Sequence, residues 1–412
     1  MIDTSAHRLL RIAETIADGS VRLRLRLWDG SAAGEDGPVV VFRNRNALRW
    51  MLFRPGDLGV ARAYVSGDLD IEGGLVDVVR EFMGATGHAF DDLLAPRVRP
   101  TLARLAALAA IADLLRHSGG VGLPPRPPAT EVARAGLRGA AAVRHHYDLD
   151  DEFYRLMLGP SMVYSGAVWK SPAQSTDLEA AQLAKLDRVC ERLELQPGMR
   201  LLDIGCGWGA LAVHAAQHYG VDVVGVTLAR NQARYARELA GRCGVSDRVD
   251  IRLCDYRDIT DGPFDAVSSI EMTFHLDARA RRAHARTAYD LLRPGGRLFC
   301  HEITASRRGR LFQRFSGFIT AYIFPEIDIP TRTSAIDCLE SAGFDVHTVE
   351  DLRDHFTASH RAWLRNIEEN WDAAVSAIGE QRARAWRLFA AMSVVGCEMR
   401  NMSVTHTVAR RP

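Results

Sequence analysis

Lysine is almost absent from this chain. Of its 52 basic residues only two, Lys170 and Lys185, are lysines, and the rest are arginines. The bias reads as that of a GC-rich coding sequence. A formal net charge of +1 leaves no basic excess to attract nucleic acid, and no RNA- or DNA-binding module stands out. Paired cysteines are lacking as well. The seven, at positions 190, 206, 243, 254, 300, 338 and 397, are scattered without a Cys-x-x-Cys pair, so no metal site or disulfide framework is expected. Long hydrophobic runs are also missing. Residues 103–115 are apolar but too short to span a bilayer, and they hold Arg104 and Asp113. Residues 1–20 mix acids and arginines in a mildly amphipathic helix, without the basic-then-apolar order of a signal peptide. The expectation is a cytoplasmic protein with reduced thiols, with peripheral contact at the inner membrane face left open.

What is present is an ordinary globular composition. The chain has 412 residues, 47% hydrophobic and 25% charged, with room for two or three domains. Residues 21–28 alternate arginine with apolar side chains as a half-buried strand does, and 39–42 and 48–53 read as further strands. Residues 55–73 read as a short helix, a glycine turn and a strand. Between His117 and Thr130 glycines and then four prolines make a linker. The expected organisation is an N-terminal accessory domain over 1–120, suited to lipid contact, a Gly/Pro linker over 121–135, and a main domain over 136–412.

The main domain is organised around Leu201–Gly209, reading Leu-Leu-Asp-Ile-Gly-Cys-Gly-Trp-Gly. Its apolar start reads as a buried parallel strand. Gly205, Gly207 and Gly209 then let the backbone turn sharply and approach a ligand. A helix follows over 211–218. Downstream, strands over 221–228, 249–253, 264–270 and 297–303 alternate with helices over 229–242 and 279–292. This alternation predicts an α/β doubly wound, mainly parallel sheet, with ligands at the carboxyl ends of its strands. Aromatic and polar residues between His145 and Trp169 read as a lid ahead of the first strand. Residues 307–325 put four arginines among aromatics, as either a covering amphipathic helix or a membrane-facing one. Residues 344–349 read as the closing strand, and 358–399 as largely helical.

The order Asp203, Ile204, Gly-x-Gly-x-Gly resembles motif I of the S-adenosylmethionine-dependent methyltransferases, a Rossmann-like class I fold. From His145 onward the chain resembles the cyclopropane-fatty-acyl-phospholipid synthase family, which includes mycolic acid cyclopropane synthases and 10-methylene and 10-methyl fatty acid methyltransferases. The motifs carrying this are His146-Tyr147-Asp148, Met162-x-Tyr164-Ser165, Leu178-Glu179-x-Ala181-Gln182-x-x-Lys185, Leu202–Gly209, Gly225-Val226-Thr227-Leu228 with Gln232, Asp255-Tyr256-Arg257-Asp258, and Tyr322-Ile323-Phe324-Pro325. The N-terminal region, especially residues 55–73, resembles the extra domain of the phospholipid-acting members.

The resemblance implies a site for S-adenosylmethionine. Tyr164 and Ser165 would contact the methionine carboxylate over Gly205, Gly207 and Gly209, and Tyr147 is a further cofactor-binding residue. Asp203 belongs to the same loop. Thr227 and Gln232 would meet the ribose, Tyr256 with its neighbours Asp255 and Arg257 would lie against the adenine, and Leu228 is a further cofactor-binding residue. It also implies methyl transfer to the double bond of an unsaturated acyl chain, through a carbocation, to a cyclopropane, methylene or methyl-branched product. In the family, a bound bicarbonate takes the proton. Here the pocket for that anion is altered: Gly166 stands for a cysteine, Phe274 for a glutamate and Phe356 for a tyrosine, while His301 stays. Glu271, His275, His301 and the adjacent Glu302 are the candidate bases, and Phe274 a candidate shield for a cation. Two alternatives stand beside this: a methyltransferase or cyclase acting on a polyene natural-product intermediate, or a non-catalytic member that binds cofactor or lipid. A homodimer and a reductase partner are compatible with the family.

Overall fold

The structure is a computed structural model that describes residues 4–17, 20–34, 37–86, 102–117, 119–131, 146–147, 150–307, 309–310 and 316–412. The chain divides into two compact units, one of residues 1–134, 314–323 and 374–395, the other of residues 135–313, 324–373 and 396–412. The block 136–412, expected as one domain, is therefore shared between the units. The reason lies in the contacts of the first unit. Asp57 accepts hydrogen bonds from Ser316 Oγ (2.7 Å) and the amides of Gly317 and Phe318 (both 3.1 Å), which holds the helix Gly317–Tyr322 there. Buried Arg384 donates to the carbonyls of Tyr64 (2.6 Å) and Leu69 (2.9 Å) and lies 4.4 Å from the Tyr64 ring centre. Of the expected linker, residues 132–135 lie outside the described residues, as do His145, Asp148, Arg308 and 311–315.

The first unit carries a four-stranded sheet, β2-β1-β3-β4, from Arg24–Arg26 (β1), Ala32–Ala33 (β2), Val39–Phe42 (β3) and Leu69–Glu72 (β4). The helix, glycine turn and strand expected over 55–73 are found as Asp57–Val65, Gly67 at a φ of +77° and β4. Two expectations differ. The strand over 21–28 shrinks to β1. Residues 48–53 lie not in a strand but in the helix Asn46–Phe53, which buries Ala47, Leu48 and Trp50. Its sequence, Asn-Ala-Leu-Arg-Trp-Met-Leu-Phe, has no β-branched residue, and Ala, Leu, Arg and Met are strong helix formers.

The second unit carries a seven-stranded sheet in the order β10-β11-β9-β8-β5-β6-β7. Its strands are Arg200–Ile204 (β5), Asp222–Thr227 (β6), Val249–Leu253 (β7), Phe264–Ile270 (β8), Leu292–Ala305 (β9), Asp345–Asp351 (β10) and Met402–Arg410 (β11). The first five pair in parallel; β11 runs antiparallel to both β9 and β10. Two apolar cores cover its faces, one around Leu201, Val223, Ala266 and Phe299, the other around Leu202, Val224, Val267 and Leu298. Consecutive residues on one strand thus enter opposite cores, which is why these strands read as unbroken apolar runs. β11 is an element that the sequence reading did not foresee. The segment expected as a lid is partly core: Phe153, Tyr154, Met162 and Trp169 are buried. Among the described residues no helix is long and apolar enough to cross a membrane.

Candidate functional site

A cavity of about 670 Å³ opens in the second unit at the carboxyl ends of β5, β6 and β8. That is the edge where parallel α/β sheets bind ligands, and the volume lies in the usual range for small-molecule sites. Tyr147, Tyr164 and Gly205 line one part, Thr227, Leu228 and Gln232 another, and Asp255, Tyr256 and Arg257 a third. Glu271 and His275 also reach the wall.

Four of the expected cofactor residues stand back from it. Ser165 Oγ accepts from Lys185 Nζ at 2.9 Å, and its carbonyl accepts from Gln182. Asp203 is buried and accepts from Ser268 Oγ at 2.7 Å; burial pushes its carboxyl up to about 6. Gly207 turns the loop at a φ of +53°. Gly209, at +86°, caps the helix Ala210–Tyr219, and a Cβ built on it would sit 2.7 Å from Ala236 Cβ. Its lack of a side chain serves helix packing. Within the loop, the amides of Gly205 and Cys206 both donate to Val226 O, and that of Gly209 to Cys206 O. The N–H groups left to an anionic ligand are those of Gly207 and Trp208. Trp208, itself on the cavity wall, also has a buried indole N–H with no partner.

The donor set fits S-adenosylmethionine. Thr227 Oγ1 donates to Gln232 Oε1 at 2.7 Å, so the Gln232 amide is held with its NH₂ end available to a diol oxygen. Asp255 caps a short 3₁₀ turn and binds Arg257 through Nε (2.9 Å) and Nη2 (2.7 Å), which holds Tyr256 at the wall.

The candidate bases form two groups. His275 Nε2 lies 3.2 Å from Tyr147 Oη, and burial takes the imidazole down to about 4, so it is neutral. Phe274 packs behind it, with ring centres 4.0 Å apart, and edge-on to Phe324; it does not line the cavity. Glu271 makes the second group. Its Oε1 accepts from the Gly166 amide at 2.8 Å and lies 3.0 Å from His301 Nε2. Burial pushes the Glu271 carboxyl up to about 7, while the Gly166 amide and the Lys185 charge act to lower it. Burial also holds His301 far below its usual range. Lys185, itself buried, is brought down to about 8. Glu271 sits at a φ of +48°, rare for a residue with a Cβ, and its amide donates to His301 O at 2.7 Å. Backbone of that kind persists where surrounding contacts over-determine it. Glu302 belongs elsewhere: it accepts from Thr273 Oγ1 at 2.8 Å.

The residues expected to mark the altered anion pocket separate. Gly166, Phe356 and His301 come together, since a Cβ on Gly166 would lie 3.0 Å from Phe356 Cδ2 and 3.3 Å from His301 Nε2. Phe274 lies in the other group. One residue near this site was missed: His406, on β11, whose Nε2 is 2.9 Å from His301 Nδ1. The signal for its strand was present in Val404, Thr405, Thr407 and Val408, a β-branched run at the end of the chain.

Residues 136–407 match the family model described as mycolic acid cyclopropane synthetase. The chain belongs to that family. It is an S-adenosylmethionine-dependent methyltransferase of the kind that includes cyclopropane synthases and fatty acid methyltransferases. It is 34% identical over 410 residues to a probable fatty acid methyltransferase of Mycobacterium tuberculosis, covering 96% of this chain and 92% of that protein. A probable fatty acid methyltransferase of Pseudomonas putida is 30% identical, over 95% of this chain and 92% of the other. Among solved structures, mycolic acid cyclopropane synthase CmaA1 complexed with SAH and CTAB superposes with a TM-score of 0.62 at 30% identity, over 66% of this chain and 99% of that one.

Proposed function

We propose that this protein transfers a methyl group to the carbon–carbon double bond of an unsaturated acyl chain carried by a lipid, and that Glu271 takes the proton that completes the reaction. The lipid substrate is supported by the two fatty acid methyltransferases that match almost the whole chain. The observation that carries the chemistry is the Glu271 carboxylate at the cavity wall, held through Oε1 by Gly166 N–H and beside His301.

Bound S-adenosylmethionine supplies an electrophilic methyl group. The residues proposed to hold it are Tyr147 and Tyr164 with the Gly207 and Trp208 amides at the methionine end, Thr227 and Gln232 at the ribose, and Asp255–Arg257 at the adenine. Once an alkene carbon gains the methyl, its neighbour is cationic. Aromatic faces on this wall, Tyr147, Tyr164 and Trp208, suit that charge. A proton then leaves the added methyl for the carboxylate, and the freed C–H pair closes a three-membered ring; a hydride shift first gives a methylene branch. A carboxyl titrating near 7 is matched to proton transfer at neutral pH.

Bicarbonate does not fit this arrangement. Gly166 N–H and His301 Nε2, the donors left by the apolar replacements, both meet Glu271 Oε1 already. Phe356 closes the space beside Gly166. Desolvating an anion there without donors would be unfavourable.

The test is mass spectrometry of lipids after incubation of the purified protein with methyl-labelled S-adenosylmethionine and mono-unsaturated phospholipid vesicles, in CO₂-depleted buffer and again with added bicarbonate. The expected result is one labelled carbon per acyl chain at equal rates in both buffers, with fragmentation separating ring from methylene. No labelled lipid would refute the substrate class. A rate that rises severalfold with bicarbonate would refute Glu271 as the base.

A further inference from the structure

β11 lies beside β9 in a register that sets His406 directly opposite His301. The two rings face each other with centres 4.8 Å apart and Nε2 of His406 2.9 Å from Nδ1 of His301. Both are buried, at 3% and 1% exposure. No role for His406 follows from the methyl-transfer reading alone.

The hydrogen bonds decide where the protons lie. His406 Nδ1 is buried and has no partner. A proton there would be an unsatisfied buried donor, which folded proteins rarely keep, so the proton belongs on Nε2. His406 Nε2–H then donates to His301 Nδ1. With Nδ1 accepting, His301 carries its single proton on Nε2, and that N–H donates to Glu271 Oε1. Which ring nitrogen of a histidine bears the proton is set by the bond its other nitrogen makes. The Gly166 amide reaches the same oxygen.

We propose that His406 is a positioning residue that locks His301 in its Nε2–H form, so that His301 steadies the ionised Glu271 carboxylate as the proton acceptor. The inference rests on the reading of Glu271 as the base, but its first half is independent of any turnover. The charged and titratable groups around the pair are Lys185 and Arg188 on the helix Leu178–Arg192, His355 on the helix Arg353–Glu369, and Tyr147 and Tyr164 beside Glu271. Burial above all, and then the neighbouring His301, Arg188, Lys185 and His355, disfavour a charged His406, so the pair stays neutral and acts through hydrogen bonding.

Two variants separate this from a packing role. His406→Gln keeps an N–H donor for His301 Nδ1; His406→Leu removes it at similar volume. Nitrogen NMR of histidine-labelled protein should show wild-type His301 and the Gln variant as the neutral Nε2–H tautomer, with mixed tautomers in the Leu variant. In the pH profile of kcat/KM, the acidic limb near 7 should hold in the Gln variant and move up by about one unit in the Leu variant, which takes the ionised fraction at pH 7 from one half to about one eleventh and turnover down about fivefold. An Nδ1–H tautomer in wild-type His301 would overturn the proposal, whatever the activity. So would equal profiles for the Gln and Leu variants. Should Glu271→Gln prove fully active while the tautomers come out as expected, the base assignment fails and the proposed role with it, but the hydrogen-bond order stands.

Discussion

Replacing Glu271 by glutamine should make the protein more stable above neutral pH and close to inactive. The carboxyl ordinarily titrates near 4.5 and is pushed to about 7 here by burial. The folded form therefore binds this proton more tightly than the unfolded chain. Below pH 4.5 both states are protonated and nothing is lost. As the pH rises through 7 the folded state must carry a buried negative charge, and stability falls. A shift of about 2.5 units corresponds to roughly 3 kcal/mol, most of it developing between pH 5 and pH 8. Glutamine keeps an Oε1 to accept from Gly166 N–H and His301 Nε2, so the local packing is preserved. Lys185, whose pKa Glu271 raises, returns part of the gain in the variant, so the figure is an upper one. The assay is denaturant unfolding of both proteins at pH 5 and pH 8, with the variant as reference so that the first unit cancels. Wild type should lose about 2–3 kcal/mol relative to the variant between the two pH values, and the variant's turnover should drop about 10²–10⁴-fold, the usual worth of a general base. A wild-type stability that is flat or rises relative to the variant would refute the electrostatic argument.

Two further outcomes follow from the same geometry. Gln232→Ala removes the amide that Thr227 orients, and should weaken S-adenosylmethionine binding by about tenfold, near the worth of one hydrogen bond, as read by calorimetry without lipid. Asp57→Ala deletes three acceptor contacts at the start of the helix Gly317–Tyr322 and should cost about 1–2 kcal/mol, seen as a lowered Tm with cofactor affinity unchanged.

Most of the second unit's sheet was legible in the sequence because a parallel strand covered on both faces must be apolar almost throughout. Val249–Leu253 and Phe264–Ile270 have the bounds the pattern implied. The same rule failed at residues 48–53, where an apolar run of helix formers became a helix. It also missed β11, where Ser403, Thr405, His406 and Thr407 interrupt the apolar run although the strand is almost wholly buried; its β-branched residues were the signal that remained. Around the cavity, the residues expected from motifs gathered where one local segment follows one strand, as Thr227 and Gln232 do. What local reading could not supply were contacts across the fold. His301 and His406 are 105 positions apart and meet only because β11 inserts antiparallel beside β9. Gly209 misled in the other direction: its glycine looks like ligand clearance and is a demand of helix packing.

The replacements that looked in the sequence like losses have a different meaning in three dimensions. At Gly166 the absent side chain leaves an amide that reaches Glu271, and any Cβ there would press on Phe356 and His301. Phe356 fills the space beside them without offering a hydrogen bond. Both changes remove what a diffusible anion would need, and both leave the Glu271 carboxylate with its two donors. On the function proposed above, the base is then part of the chain and its readiness is set by burial and by Gly166, His301 and His406. Activity should accordingly follow pH through about 7 and be indifferent to dissolved bicarbonate. A pocket rebuilt with Gly166→Cys and Phe356→Tyr would face the opposite constraint, because the cysteine side chain must displace Phe356 or His301 and, with His301, the partner that orients Glu271.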